Sequence, residues 1–357
     1  VNFTIFGYPK TGKTSLFNIL TGSRAEVSAF EIGKREANER VCPLPDARLD
    51  ALAALHPDRK RIPIAVDVFD LAGISFGEVK TSTFLNALRK ADILLHVVRG
   101  FADDALPHPK NRIDPAGDIG TMEEELLLAD MVSVEARLDR LDKDLKKMKS
   151  PEGEKERTLL LRLKGHLESG GPLRTCDFSE TEEKIVRAFA FLSQKPIAHL
   201  VNAGEADIGR LAEIEHGFIP GPRTAVLAFC GKIEKEIMEI EDETERSVFR
   251  EEYGLRETTA PRFFPKALGL LDLIVFYTIG KEEVRAWTVR RHSPALKAAA
   301  EIHTDIEKGF IRAEVVALEE LLRRGGWAQA KEAGALRLEG KDYPVRDADV
   351  IYFRFAL

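Results

Sequence analysis

The residues with the most chemistry in them come first: Gly7-Tyr8-Pro9-Lys10-Thr11-Gly12-Lys13-Thr14-Ser15. The run fits G-x-x-x-x-G-K-[ST], a phosphate cradle. Its glycines let successive backbone N–H groups turn inward around phosphate oxygens. Lys13 adds a charge at the β/γ end, and the Thr14 hydroxyl can ligate Mg2+. Pro9, Lys10, Thr11 and Ser15 complete the lining. A second oxygen donor stands in Asp70-Leu71-Ala72-Gly73. Asp70 can hold the magnesium opposite Thr14, and the Gly73 N–H is placed to sense a γ-phosphate. A third cluster is Asn202-Ala203-Gly204-Glu205. It stands where a guanine-reading N-K-x-D would. There an aspartate accepts from guanine N1–H and the 2-amino group, donors that adenine lacks. Here the longer Glu205 replaces the aspartate, and Ala203 replaces the lysine that covers the base. The chemistry that selects guanine is altered, while Asn202 can still bond a purine's N7 or exocyclic group.

These clusters need strands to hold them. Apolar runs rich in Val, Ile, Leu and Phe recur as VNFTIF (1–6), IPIAVDVFDL (62–71), ILLHVVR (93–99), PIAHLVN (196–202) and TAVLAF (224–229). None alternates cleanly with polar residues, as expected of strands buried on both faces of a parallel sheet. Helical stretches such as TSLFNILTG and TFLNALRKAD between them complete a βαβ pattern. The cradle follows the first strand and opens the first helix.

The pattern breaks over 119–194. Leu127, Met131, Val134, Leu138, Leu141, Leu145 and Met148 alternate steps of four and three, the seam of a coiled coil. Ser150-Pro151-Glu152-Gly153 turns the chain into a second run with Leu159, Leu160, Leu163 and Leu167. An antiparallel helical hairpin is predicted there, inserted into the α/β domain. After 278, EEVRAWTV, GFIRAEVVAL, LRLEGKDYPV and DVIYFRFAL read as strands and ALKAAAEIH and ALEELLRRG as short helices, a small α+β module. The expected division is therefore 1–118 with 195–277 for the nucleotide domain, 119–194 for the arm and 278–357 for the last module.

The 357 residues carry a net charge of −6, which gives no general pull toward nucleic acid. RNA would need a local patch, and DNA binding is not expected. Cys42, Cys176 and Cys230 fit no metal spacing and read as reduced thiols. No apolar run approaches the roughly 18 residues that span a bilayer, and no basic region followed by an apolar stretch opens the chain. A cytoplasmic setting is expected, with an initiator Met preceding Val1. His96 and His199 lie inside apolar runs and read as core residues, as do Trp287 and Trp327. His303 reads as structural.

Together these residues resemble the Obg-like ATPases of the YchF type, translation-factor-related P-loop proteins that carry N-x-x-E and prefer ATP. The resemblance extends through CPLPDARLDAL (42–52), HVVRGFADD (96–104), ELLLAD (125–130) and GKIEKEI (231–237). It continues through EVRAWTV, AAAEIHTDIEKGFIRAEV and AKEAGALRLEGKDYPVRDADVIYFRF, which are similar to the family's TGS domain. The resemblance implies a P-loop NTPase G domain, an inserted coiled-coil arm and a C-terminal TGS domain, with arm and TGS domain framing a cleft for RNA. It also implies ATP as ligand with Mg2+ and a ribosome or RNA partner. By position, Phe229 of Ala228-Phe229-Cys230-Gly231 falls in the loop that lies against the base.

The chain departs from the family at three places. Lys10 stands where the family has the Asn that helps hold K+ near the phosphates, so its ammonium could supply that charge permanently. Ile32-Gly33-Lys34 replaces a Thr-bearing switch segment. Either Lys34 contacts the γ-phosphate or the switch does not close on magnesium. SFGEVKTSTFL (75–85) is shorter and far poorer in glycine than the family's segment, while Ile74 after Gly73 is apolar as the family's residue usually is and cannot orient a water. The catalytic group is not identified. Slow ATP hydrolysis is the expected outcome, with a non-hydrolysing adaptor and a GTP-binding protein as the alternatives.

Overall fold

The computed structural model describes residues 1–23, 38–71, 73, 82–103, 106 and 112–356. In chain order the first seven strands are β1 (Asn2–Phe6), β2 (Asn38–Pro43), β3 (Lys60–Ile62), β4 (Ala65–Asp70), β5 (Ile93–Gly100), β6 (Ile197–Ala203) and β7 (Thr224–Phe229). All but β3 form one sheet in the order β2-β4-β1-β5-β6-β7. The pairings from β4 through β7 are parallel. Every residue of β6, and all of β5 except Gly100, is buried, which is why these runs show no polar alternation. The strand order reverses at β1, with β4 on one side and β5 on the other. A crevice at such a reversal opens beyond the carboxyl ends of the strands. Helix α1 (Lys13–Thr21) starts there.

The expected arm is present as α2 (Pro115–Lys147) and α3 (Pro151–Glu168), which pack against each other. Asp114 and Ser150 cap them by accepting from Gly117 N and Gly153 N, with proline at each first turn. Lys164–Glu135 lies toward the open end and Arg157–Asp142 toward the turn, with Arg137–Glu156 also joining the helices, so the hairpin is antiparallel. Val134, Leu138 and Leu141 are buried against Leu159, Leu160, Leu163 and Leu167. The expected seam stops short of Met148, which caps α2 at the turn and is 74% exposed.

The second unit contains Cys42–Val66 and Ala260–Leu357. Its strands are β8 (Leu273–Ile279), β9 (Glu283–Arg290), β10 (Phe310–Ala317), β11 (Arg337–Glu339) and β12 (Asp349–Phe355), with β3, in the order β11-β10-β12-β8-β9-β3. The sheet is mixed: β8–β9, β10–β11 and β10–β12 are antiparallel, whereas β12–β8 and β3–β9 are parallel. Its core joins Ile274, Phe276, Val315, Ile351 and Phe353 to Ala295, Ala298 and Ala299.

The structure differs from the expected division at two places. The module begins before 278, because β8 pairs residue for residue with β9. The run 62–71 is not one strand either. Ile62 ends β3, Pro63 and Ile64 lie outside any strand, and β4 starts at Ala65. Segment 42–66 is fastened to its own unit by Tyr277 Oη donating to Asp46 at 2.8 Å and by Arg48–Asp347 at 2.7 Å. Contacts between residues some 231 and 299 positions apart leave no local signature.

Candidate functional site

The cradle is built by backbone geometry that only glycine tolerates. Gly7 has φ +144°, and a Cβ there would stand 2.5 Å from the Val97 carbonyl oxygen. Gly12 has φ +99°, and a Cβ there would fall 2.2 Å from Asn202 Nδ2. Lys10 sits at φ +60°, the left-handed region, which costs a non-glycine residue about 1–2 kcal/mol. Asn tolerates that region better than Lys does.

Gly12 caps α1, so the unpaired N–H groups and positive dipole end of the helix face the loop. Lys13 is buried and its Nζ donates to the Tyr8 carbonyl at 2.9 Å. Thr11 Oγ1 donates to the same carbonyl at 3.1 Å. Thr14 Oγ1 donates to Asp70 Oδ2 at 2.9 Å, and Asn38 Nδ2 donates to that oxygen at 3.3 Å. Thr14 and Asp70 are therefore side by side at the carboxyl end of β4. Two hard oxygen donors are the set a Mg2+ ion uses when phosphates and water supply the rest. Among the described residues no group of three or more His, Cys, Asp or Glu could hold a metal. Pro9 is half-buried in the loop, Ser15 follows in α1, and Gly73 is half-buried just past Asp70. Lys34 and Ile74 lie outside the described residues.

The third cluster is arranged differently from a base reader waiting in solvent. Asn202 is buried at the end of β6, and both ends of its amide engage the protein. Nδ2 donates to the Thr11 carbonyl at 3.1 Å, and Oδ1 accepts from Gly231 N at 2.9 Å. It ties the cradle to the start of the helix Gly231–Glu239. Ala203 is buried in β6. Glu205 is exposed and its carboxylate is held by Lys232 Nζ. Phe229 is fully buried, and its Cε2 lies 3.4 Å from where a Gly231 Cβ would stand. It is a core position behind the loop rather than an open wall for the base.

Four supporting residues, Tyr8, Arg99, Glu123 and Arg174, were not singled out in the sequence. Tyr8 is 1% exposed and packs with Leu88, Met122 and Leu126, so the cradle rests on the base of α2. Arg99, also 2% exposed, lies 4.5 Å over the Phe101 ring, and its Nε donates to the Phe101 carbonyl at 3.0 Å. The one available signal was a charge inside the apolar run ILLHVVR. His96 and His199 are buried as core histidines, but they bond each other, Nδ1 to Nδ1, at 3.0 Å. Glu123 Oε1 accepts from His199 Nε2 at 3.2 Å and from Arg174 Nη2 at 2.5 Å.

Residues 2–162 match the family described as 50S ribosome-binding GTPase. Residues 273–356 match the YchF-type GTPase C-terminal family, described as a protein of unknown function (DUF933). The chain is 40% identical to the ribosome-binding ATPase YchF of Bacillus subtilis over 98% of both chains. It is 33% identical to the Obg-like ATPase 1 of Pongo abelii, over 98% of this chain and 91% of the relative. Among solved structures, that of the Schizosaccharomyces pombe YchF GTPase is similar with a TM-score of 0.83 and 27% identity, covering 99% of this chain and 97% of that one.

Proposed function

The chain belongs to the YchF-type, Obg-like ATPase family, and from that premise we propose that it is a magnesium-dependent ATPase that prefers ATP to GTP and acts as a nucleotide-controlled switch on the ribosome. One observation carries the reading: the strand–loop–helix cradle sets the α1 amino end, Lys13, Thr14 and Asp70 around one point.

Each side chain then has a task. The α1 N–H groups and Lys13 bind the phosphates, and Lys13 exchanges the Tyr8 carbonyl for a phosphate oxygen. Thr14 and Asp70 would hold Mg2+, which shields the phosphate charge. Asn202 keeps the cradle in register with the Gly231 turn. Glu205 lacks the short carboxylate reach that reads guanine, and Lys232 occupies it, which supports adenine as the base. Lys10 keeps a cation beside the phosphates at the expense of left-handed backbone, and we propose that this ammonium takes the place of K+. The ribosome enters from what the bacterial relatives are named for, and with it a cytoplasmic setting. Among the described residues no helix is long and apolar enough to cross a membrane.

Calorimetry with ATP, ADP, GTP and GDP tests the ligand. Tighter binding of ATP than GTP is expected, and equal or tighter GTP binding overturns the adenine assignment. Because Ile74 cannot orient water, single-turnover ATP cleavage with Mg2+ separates a slow ATPase from a binding-only switch. Cosedimentation with ribosomes in each nucleotide state tests the partner.

A further inference from the structure

A cavity of 260 Å³ opens against the amino-terminal halves of β6 and β7, at the other end of the parallel strands from the cradle. Ile119, Leu127, Phe218 and Val226 form apolar walls. Glu123, Arg174 and His199 supply the polar part of the lining. Oε1 of Glu123 accepts from both Arg174 and His199, whereas Oε2 is buried with no hydrogen-bond partner among the described residues. A buried acceptor left without a donor costs about 1–3 kcal/mol. Arg174 cannot swing across to supply one. Its Nε donates to Thr224 Oγ1 at 3.0 Å and its Nη1 to the Ser193 carbonyl at 3.3 Å.

The charge at this site sets the ligand's chemistry. Arg174 already neutralises Glu123, so a second cation would meet uncompensated repulsion at close range. A neutral O–H or N–H donor meets none. The walls ask for an apolar body, and the volume lies just below the roughly 300 Å³ at which sites for drug-sized ligands begin. A single ring system with one donor, a phenol or an indole, satisfies both.

The same lining is wired to the cradle. Because a carboxylate only accepts, His199 Nε2 carries its proton and His199 Nδ1 is the acceptor for His96 Nδ1–H. His96 Nε2 is then an acceptor, buried and without a hydrogen-bond partner among the described residues. Its Cδ2 lies 3.5 Å from where a Cβ on Gly7 would stand, and its ring lies 5.2 Å from Phe6 and 6.5 Å from Tyr8.

We propose that this cavity is an effector site for a small neutral ring compound bearing one hydrogen-bond donor, read at the cradle through Glu123, His199 and His96. The assignment concerns the cavity and does not depend on which nucleotide the cradle prefers.

The test titrates the full chain with p-cresol and with indole, without nucleotide, following the His199 ring signals by NMR and binding by calorimetry. Saturable binding that moves His199 is expected. Val226→Phe, which fills the cavity from the position beside His199 on the neighbouring strand and leaves Glu123, Arg174 and His199 themselves unchanged, should abolish it while the melting temperature holds. Glu123→Gln should weaken it about tenfold, the loss of one hydrogen bond's worth. The probe should change ATP affinity by the same factor by which ATP changes probe affinity. No saturable binding, or binding untouched by Val226→Phe, overturns the site. Binding with ATP affinity unmoved overturns its effector role. A tyrosine peptide that binds more than about tenfold tighter than p-cresol, and loses that advantage in Ile219→Ser at the rim, would replace the small molecule with a protein anchor.

Discussion

Asn202 and Gly12 stand so close that a single added methyl group on the glycine would lie 2.2 Å from the asparagine amide nitrogen. The contact is the tightest point of a tie that runs from the Thr11 carbonyl through Asn202 to Gly231 N. Asn202→Ala removes one partner from each of two backbone groups at a buried position. It should cost about 2 kcal/mol of stability and weaken binding of every nucleotide, ATP and GTP alike. Thermal melts and calorimetry on the variant check both. A loss confined to ATP would instead make Asn202 a reader of the base.

Thr14 and Asp70 test the metal assignment. In the wild type, Mg2+ should tighten ATP binding. In Asp70→Ala that gain should fall at least about tenfold, whereas affinity for ATP without Mg2+ should change little. A magnesium titration at fixed ATP reads the difference, and an undiminished magnesium effect would remove Asp70 from the metal site.

Lys10 predicts an ion dependence. The wild type should turn over ATP equally in Na+ and K+. Lys10→Asn should become K+-dependent, and it should also be more stable by about 1 kcal/mol because asparagine is better suited to φ +60°. Wild-type turnover that rises with K+ would refute the substitution of ammonium for potassium.

Glu123 predicts a pH dependence. Burial opposes its ionisation, but the His199 hydrogen bond and the Arg174 charge outweigh burial and hold its pKa down to about 2, from an ordinary 4.5. A carboxyl lowered on folding contributes stability above its unfolded value and loses it as pH falls through the folded one. The stability difference between wild type and Glu123→Gln should therefore shrink by about 3 kcal/mol from pH 5 to pH 2. Urea melts across that range measure it.

Much of this was legible in the chain, for physical reasons that differ from place to place. The cradle showed because phosphate binding fixes residue types at fixed spacing, with a strand before and a helix after. The arm showed because a coiled-coil seam repeats over several turns. The second sheet was only half legible. Its segment 42–66 joins strands more than 200 residues away, through pairs such as Asp46–Tyr277, and no local pattern encodes that meeting. The seam was overextended at Met148 because spacing alone cannot tell where a helix stops facing its partner. Position sets Phe229 in the loop against the base, and its burial shows what position omits: whether a side chain at a loop points outward or packs behind it.

Tyr8 rests against Met122 and Leu126 near the start of a helix of 33 residues, and Asp130 pins that helix by accepting from Leu192 N and Ser193 N at 2.8 and 2.7 Å. At 1.5 Å per residue the rod is about 50 Å long. The geometry is that of a lever with its fulcrum beside the phosphates. About Met122 the arm to the far end is roughly 38 Å, so each degree of tilt sweeps the tip through roughly 0.65 Å, and an adjustment too small to disturb the core would be magnified into a displacement that a large target could feel.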